Sequence, residues 1–291
     1  MSQVATIITL LFSVLMPQKM WYPAGQPINV TIKSDKAVKL DLTDFTGKSL
    51  DAKGSATADP DATVDIAAIF PEIKAEGTYV LWARPAAGGD IVGTPIVIEA
   101  RADKKISNDP MVYHLEPLRY AAMSTDSGDV TMAFYYDVAP NTIESFLTLA
   151  DGGYFDGLTF HRIVPGFVIQ GGDPIGTGGG GPGYELNAEF NNRPHEAGVL
   201  SMARTSDPNS AGSQFFVCLD YNQTKQLDGQ YTAFGKVTSG MDAVNKIAAT
   251  KLSDPQAGKP ATPQVIKSIK ILPVSATNNP YAALMPNLAK K

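Results

Sequence analysis

The chain has 291 residues, 44% of them hydrophobic, with a net charge of −5 and a pI near 5.2. That apolar share supports a buried core and excludes a disordered chain, while 26 glycines and 21 prolines point to the many turns of β architecture. Without runs of Lys or Arg, the chain offers no electrostatic footprint for nucleic acid and no basic helix for a membrane surface.

Val4 to Met16 is mostly apolar. No Lys or Arg precedes it, no A-x-A pattern follows, and it falls short of the roughly 20 residues of a membrane-spanning helix. Residues 1–16 therefore read as a leader or first strand, with an export signal or membrane anchor as the open alternative. Cys218 is the only cysteine, so there is no disulfide framework and the expected compartment leans cytoplasmic. Its apolar surroundings, Phe215 to Leu219, mark it as a buried core thiol.

Residues 17–109 read as a small β-sandwich of immunoglobulin type. Period-2 segments at Pro27–Lys33, Val38–Leu42, Thr63–Ala67, Thr78–Ala83 and Ile91–Glu99 are separated by Gly, Pro, Asp and Ser clusters. Gly54–Asp61 and Ala86–Asp90 are expected loops, and Trp21 and Trp82 expected core aromatics. No catalytic constellation is visible here; a role in interaction or spacing is expected.

The polar stretch Ala102–Pro110 marks the expected boundary, with a second domain over residues 110–273. Tyr120–Ser124 reads as a strand, and Val130, Met132, Phe134 and Tyr136 alternate along another. Pro140 opens a helix whose inward face is Ile143, Phe146, Leu147 and Ala150, ending at Gly152-Gly153. Met241–Ala249 reads as a second helix facing inward through Met241, Val244, Ile247 and Ala248. Val265–Leu272 reads as a closing strand, and residues 274–291 as a polar tail. Two helices against many strands predict a mainly β fold: a closed antiparallel barrel capped by helices.

Several common chemistries find no support. Gly176–Gly181 satisfies G-x-G-x-x-G, but Pro182-Gly183 follows where a dinucleotide site needs a helix, and no βαβ unit surrounds it. A flexible loop is the better reading. His114, His161 and His195 lie far apart and no Cys/His cluster exists, so no metal is expected. No G-x-S-x-G elbow signals a hydrolase. His161 and Arg162 share a strand and point to opposite faces, with His161 expected as a satisfied core histidine. Arg162 stands among Phe160, Ile163 and Val164, where burial is costly without a partner. Phe167, Val168 and Gln170 follow, and Gln214 and Phe216 come forty-odd residues later. One guanidinium, two amides and several aromatics could line a common groove. That set suits a reaction needing a desolvated slot and one strong hydrogen-bond donor.

Residues 160–173, Leu200–Ala203, Asn209–Phe216, Leu227-Asp228-Gly229 and Phe234–Val237 resemble the cyclophilin-type peptidyl-prolyl cis-trans isomerases over about residues 115–273. The resemblance implies an eight-stranded antiparallel barrel with two capping helices, isomerisation of Xaa-Pro bonds assisting folding, no cofactor, and proline-containing polypeptides as clients. A catalytically weak proline-peptide module or scaffold is the alternative. By position it implies Arg162 as the catalytic residue. Phe167, Val168, Phe216 and Leu227 match the proline pocket, Gln170 and Gln214 the amide positions near the substrate backbone, and Ala203, Arg204 and Tyr231 the neighbouring wall. Asn is common in the family at position 204, a tryptophan at 226 where this chain has Gln, and a histidine at 231 where it has Tyr. Gln226 implies weak binding of cyclosporin-like ligands.

Overall fold

The computed structural model describes residues 14–102, 112–285 and 287, in two compact units. One runs through Arg119 and takes back the segment from Pro273 onward; the other spans Tyr120–Leu272. Most of the apolar leader, residues 1–13, lies outside the described residues, as does most of the polar stretch expected to mark the boundary.

The first unit holds β1 (Leu15–Pro17), β2 (Trp21–Pro23), β3 (Asn29–Ile32), β4 (Val38–Asp44), β5 (Ser49–Leu50), β6 (Thr57–Ala58), β7 (Thr63–Asp65), β8 (Gly77–Pro85), β9 (Ile96–Arg101) and β10 (Val112–Pro117). β1, β3 and β7 form a small sheet. The larger sheet runs β2-β10-β9-β8-β4-β5, with β6 also on β4. Alternation explains the core: Val30 and Ile32 from one sheet and Leu40, Leu42, Leu81, Ile96 and Ile98 from the other join a single buried cluster. β10 pairs with β9 from Val112 to Pro117, which carries this unit past the expected boundary.

Several local expectations change. The Thr63–Ala67 strand stops at Asp65, whose carboxylate accepts from Ala67 N and caps a helical turn, Ile66–Ile69. Within the segment expected as a strand from Ile91, β9 starts only at Ile96, because Gly93 is left-handed and Pro95 supplies no N–H for a ladder. Trp82 is fully buried and donates to Thr43 Oγ1 at 2.9 Å. Trp21 is 53% exposed on edge strand β2 and stacks on His114 instead of joining the core. The expected polar tail packs: Tyr281 and Met285 are fully buried, and the Tyr281 hydroxyl donates to Arg119 O.

The second unit contains β11 (Arg119–Thr125), β12 (Gly128–Phe134), β13 (Arg162–Val164), β14 (Val168–Gly171), β15 (Val199–Met202), β16 (Phe215–Cys218), β17 (Ala233–Ser239), β18 (Leu252–Asp254), β19 (Lys259–Pro260) and β20 (Ile266–Pro273). Eight of them form one sheet in the order β13-β14-β16-β15-β17-β12-β11-β20. The ladder is an open half-barrel with β13 and β20 at its ends. The helix Pro140–Asp151 sends Ile143, Phe146, Leu147 and Ala150 inward, as its spacing predicts. The Phe146 ring centroid lies 5.0–5.7 Å from those of Phe134, Phe155, Phe215 and Phe234. Ala139 cannot cap this helix, and Glu189 does so from afar, accepting from Asn141 N and Thr142 N. The helix Met241–Ala248 buries Ala243, Val244 and Ile247; Met241 and Ala248 are only partly covered.

Candidate functional site

A tight hairpin sets the site. Phe167 N donates to Val164 O across Pro165-Gly166, with Gly166 at φ 73°. Proline then glycine at the two central positions is the chemistry of a type II turn. The turn fixes the register, placing Arg162 opposite Gln170 and Gln170 opposite Phe216. Gly258, also left-handed, supports the arginine from behind. Its carbonyl accepts from Ile163 N, and a Cβ there would come within 2.6 Å of Ile163 O and 3.2 Å of Arg162 Cγ.

From Arg162 a polar rail crosses the sheet. Arg162 Nη1 donates to Gln170 Oε1 at 3.3 Å, and Gln170 Nε2 donates to Gln214 Oε1 at 2.9 Å. Gln214 Nε2 then donates to the carbonyls of Gly178 and Gly180. Beside the rail lies an apolar cluster. Val168, Phe216 and Leu227 are buried, with Val199, Cys218 and Ala233 in the same cluster, and the partly exposed Phe167, Ala203 and Tyr231 pack against it. Phe216 meets Tyr231 edge to face at 5.8 Å. The Arg204 guanidinium sits 4.5 Å from the Tyr231 ring centre and donates to Gln230 O and Thr205 O. Arg162, Gln170 and Gln214 lie on this rail, Phe167, Val168, Ala203, Phe216, Leu227 and Tyr231 in or against this cluster, and Arg204 on the Tyr231 ring. Ala203, Arg204, Gln170 and Gln214 also line an adjoining cavity of about 690 Å³.

The glycine-rich loop is held. The buried Asp173 carboxylate accepts from the backbone N–H groups of Ile175, Thr177 and Gly178, which occupies the donors a phosphate would need. Although desolvation pushes its pKa up, these bonds hold it below the ordinary value. A Cβ on Gly180 would collide with Asp173 Oδ1. His161 departs from expectation too. It is half-buried, and among the described residues neither ring nitrogen has a partner at good hydrogen-bond geometry; desolvation lowers its pKa against the opposing pull of Asp173 and the Thr159 backbone, which favours the neutral ring. The Cys218 thiol is fully buried and pushed up to about 12 by desolvation, so it is not a nucleophile.

Sequence reasoning missed a network beneath the cluster. His195 Nδ1 lies 2.9 Å from Asp228 Oδ1, and its Nε2 lies 3.0 Å from Ser201 Oγ. Asp228 also accepts from His195 N and the Tyr221 hydroxyl. His195 and Ser201 are fully buried, so the Ser-His-Asp order here has no access to a substrate. Its effect is to pin the segment carrying Leu227 and Tyr231 to β15. Burial lowers the His195 pKa and favours the neutral ring. The available signal was Asp228 within Leu227-Asp228-Gly229, but pairing it with His195 required the fold. Among the described residues, no group of three or more His, Cys, Asp or Glu could hold a metal ion.

The second unit is thus an antiparallel half-barrel bearing an arginine beside an apolar, aromatic-edged cluster. Residues 120–271 match the family model of the cyclophilin type peptidyl-prolyl cis-trans isomerases, and the chain belongs to that family. A peptidyl-prolyl cis-trans isomerase of Synechococcus elongatus is 48% identical over 116 residues, covering 40% of this chain and 78% of that protein. The peptidyl-prolyl cis-trans isomerase B of Bacillus subtilis is 48% identical over 119 residues, covering 40% and 81%. A crystal structure of a Cryptosporidium parvum cyclophilin, solved with the dipeptide Ala-Pro, is 33% identical with a TM-score of 0.50, covering 53% of this chain and 99% of that one. The activity of this chain is peptidyl-prolyl cis-trans isomerisation. No helix among the described residues is long and apolar enough to cross a membrane.

Proposed function

We propose that Arg162 is the catalytic residue and that the slot walled by Phe167, Val168, Phe216, Leu227 and Tyr231 holds the prolyl ring of a polypeptide client. Gln170, Gln214, Ala203 and Arg204 hold the chain flanking the proline. The carrying observation is the juxtaposition of a guanidinium with no carboxylate partner among the described residues and an apolar cluster edged by the partly exposed rings of Phe167 and Tyr231. An Xaa-Pro amide turns slowly because resonance stiffens its C–N bond, with a barrier of about 18–20 kcal/mol. Its two planar states differ by only about 0.5–1 kcal/mol, so the reaction needs no acid–base pair and no cofactor. Halfway through the turn, resonance is lost and the prolyl nitrogen gains a lone pair. An N–H of Arg162 bonds to that lone pair and to nothing comparable in the planar amide, which is the differential binding that accelerates a step. Water exclusion by the slot strengthens the bond.

Two structural readings accompany this. Hydrogen bonds join residues 157–160 to 264–266, including Phe160 N to Gln264 O, and a bridge joins Thr159 to Val265. They support closure of the eight strands into a barrel. Two sheets around one core support an immunoglobulin-like sandwich for the first unit, with a role in tethering clients or a larger assembly.

The test is Arg162→Ala, followed by NMR exchange on an Xaa-Pro peptide. A charged hydrogen bond contributes about 1.5–3 kcal/mol, so kcat/KM should drop by roughly 10- to 100-fold with the fold retained. Undiminished exchange would remove Arg162 from the mechanism.

A further inference from the structure

The chain has six arginines: Arg84, Arg101, Arg119, Arg162, Arg193 and Arg204. Four pair with a carboxylate, to Asp41, Glu99, Glu116 and Asp137 respectively for Arg84, Arg101, Arg119 and Arg193. Among the described residues Arg162 and Arg204 have no carboxylate partner; Arg204 lines the 690 Å³ cavity, and Arg162 bonds to Gln170, which lines it too. Arg204 is held in place without being neutralised: its donors go to the backbone carbonyls of Gln230 and Thr205, and its flat face lies on Tyr231. Three fixed contacts on a half-buried guanidinium immobilise its charge at the rim shared by the proline slot and the 690 Å³ cavity. Glu185, exposed, is the one acidic residue lining that cavity.

Resting on the groove assignment above, we propose that Arg204 selects substrates with an acidic side chain one or two residues from the proline. Peptide bound in the slot must leave it past Ala203 and Arg204 to enter the cavity, so a flanking Asp or Glu reaches the pre-oriented guanidinium. No side-chain ordering remains to be lost on the protein's side, which is the usual cost of an exposed ion pair. Arg162 lies across the rail and acts on the prolyl nitrogen. Arg204 acts on sequence choice.

The experiment uses the full chain and Xaa-Pro peptides carrying Glu, Gln or Lys at the two residues on either side of the proline, with exchange measured by NMR at low and high salt. At low salt kcat/KM for the best Glu peptide should exceed that of its Gln counterpart by about two- to fivefold, and the Lys peptide should fall below both. The ratio should shrink toward one at about 1 M salt, where charges beyond a few ångströms are screened. Arg204→Gln should abolish the ratio, Arg204→Lys should keep part of it, and Glu185→Gln should increase it. Equal rates for Glu and Gln peptides in the unaltered protein overturn the proposal, as does a Glu preference that survives Arg204→Gln. Slow exchange of every peptide would instead reject the groove assignment itself, a result the Gln peptide alone reveals.

Discussion

The arginines of the two units obey different rules. In the first unit Arg84, Arg101 and Arg119 each face a carboxylate from a neighbouring or nearby strand position, and Glu99 and Glu116 are themselves largely buried. In the second, only Arg193 is paired in this way among the described residues, with Asp137. Arg162 and Arg204 contact amides, carbonyls and an aromatic ring instead. A paired arginine satisfies a buried charge and stabilises the fold. An arginine held only by neutral amides, carbonyls or a ring keeps its charge un-neutralised beside the apolar cluster.

Substitutions can break that distinction. The largest expected effect is on turnover, with Arg162→Ala losing roughly 10- to 100-fold in kcat/KM and shifting Tm by less than about 4 °C. Arg101→Met should do the opposite. It strands Glu99, one of whose oxygens is buried without a hydrogen-bond partner, and should cost about 1–3 kcal/mol in denaturant unfolding while sparing turnover. A loss of activity without a loss of stability in that variant would erase the contrast between the units.

Smaller effects sharpen it. Ser201→Ala removes the partner of His195 Nε2 and loosens the segment bearing Leu227 and Tyr231; about 1 kcal/mol of stability and a rise in KM larger than any fall in kcat are expected. Gly258→Ala forces a side chain against Ile163 O and Arg162 Cγ in a left-handed position, so kcat should fall by a few-fold, read by the same exchange measurement. For pH, the sign follows from burial. His195 takes a proton less readily when folded than when unfolded, where its pKa is about 6.5. Its contribution is intact above that value and is lost as pH falls below it. Glu116 and Asp137, pushed up by burial, act in the opposite sense. The measurement is therefore the difference in Tm between the unaltered protein and His195→Gln from pH 8 to pH 5. That difference should narrow toward acid; a constant gap would mean that folding leaves the His195 pKa unshifted, and a widening one that the ring is protonated in the fold.

Local pattern carried much of the fold. Alternation at Ile28, Val30 and Ile32, and the i, i+3, i+4, i+7 spacing from Ile143 to Ala150, place residues on a face from neighbours alone, and both faces are buried. Pro165-Gly166 likewise dictates its own turn. The misreadings at Trp21, His161 and the C-terminal segment share one cause. Burial of a side chain at a strand edge or chain end depends on what packs there from far along the sequence. Residue type does not encode it. The 2.9 Å approach of His195 to Asp228, 33 positions away, was illegible for the same reason.

The sequence alone determined which residue types could form the site and in what order along the chain, because short-range sterics and the proline-glycine turn act on adjacent positions. Only the tertiary structure decided which arginines have carboxylate partners, because a charge finds its partner through distances set by the packed sheet, and those distances are not a function of separation along the chain.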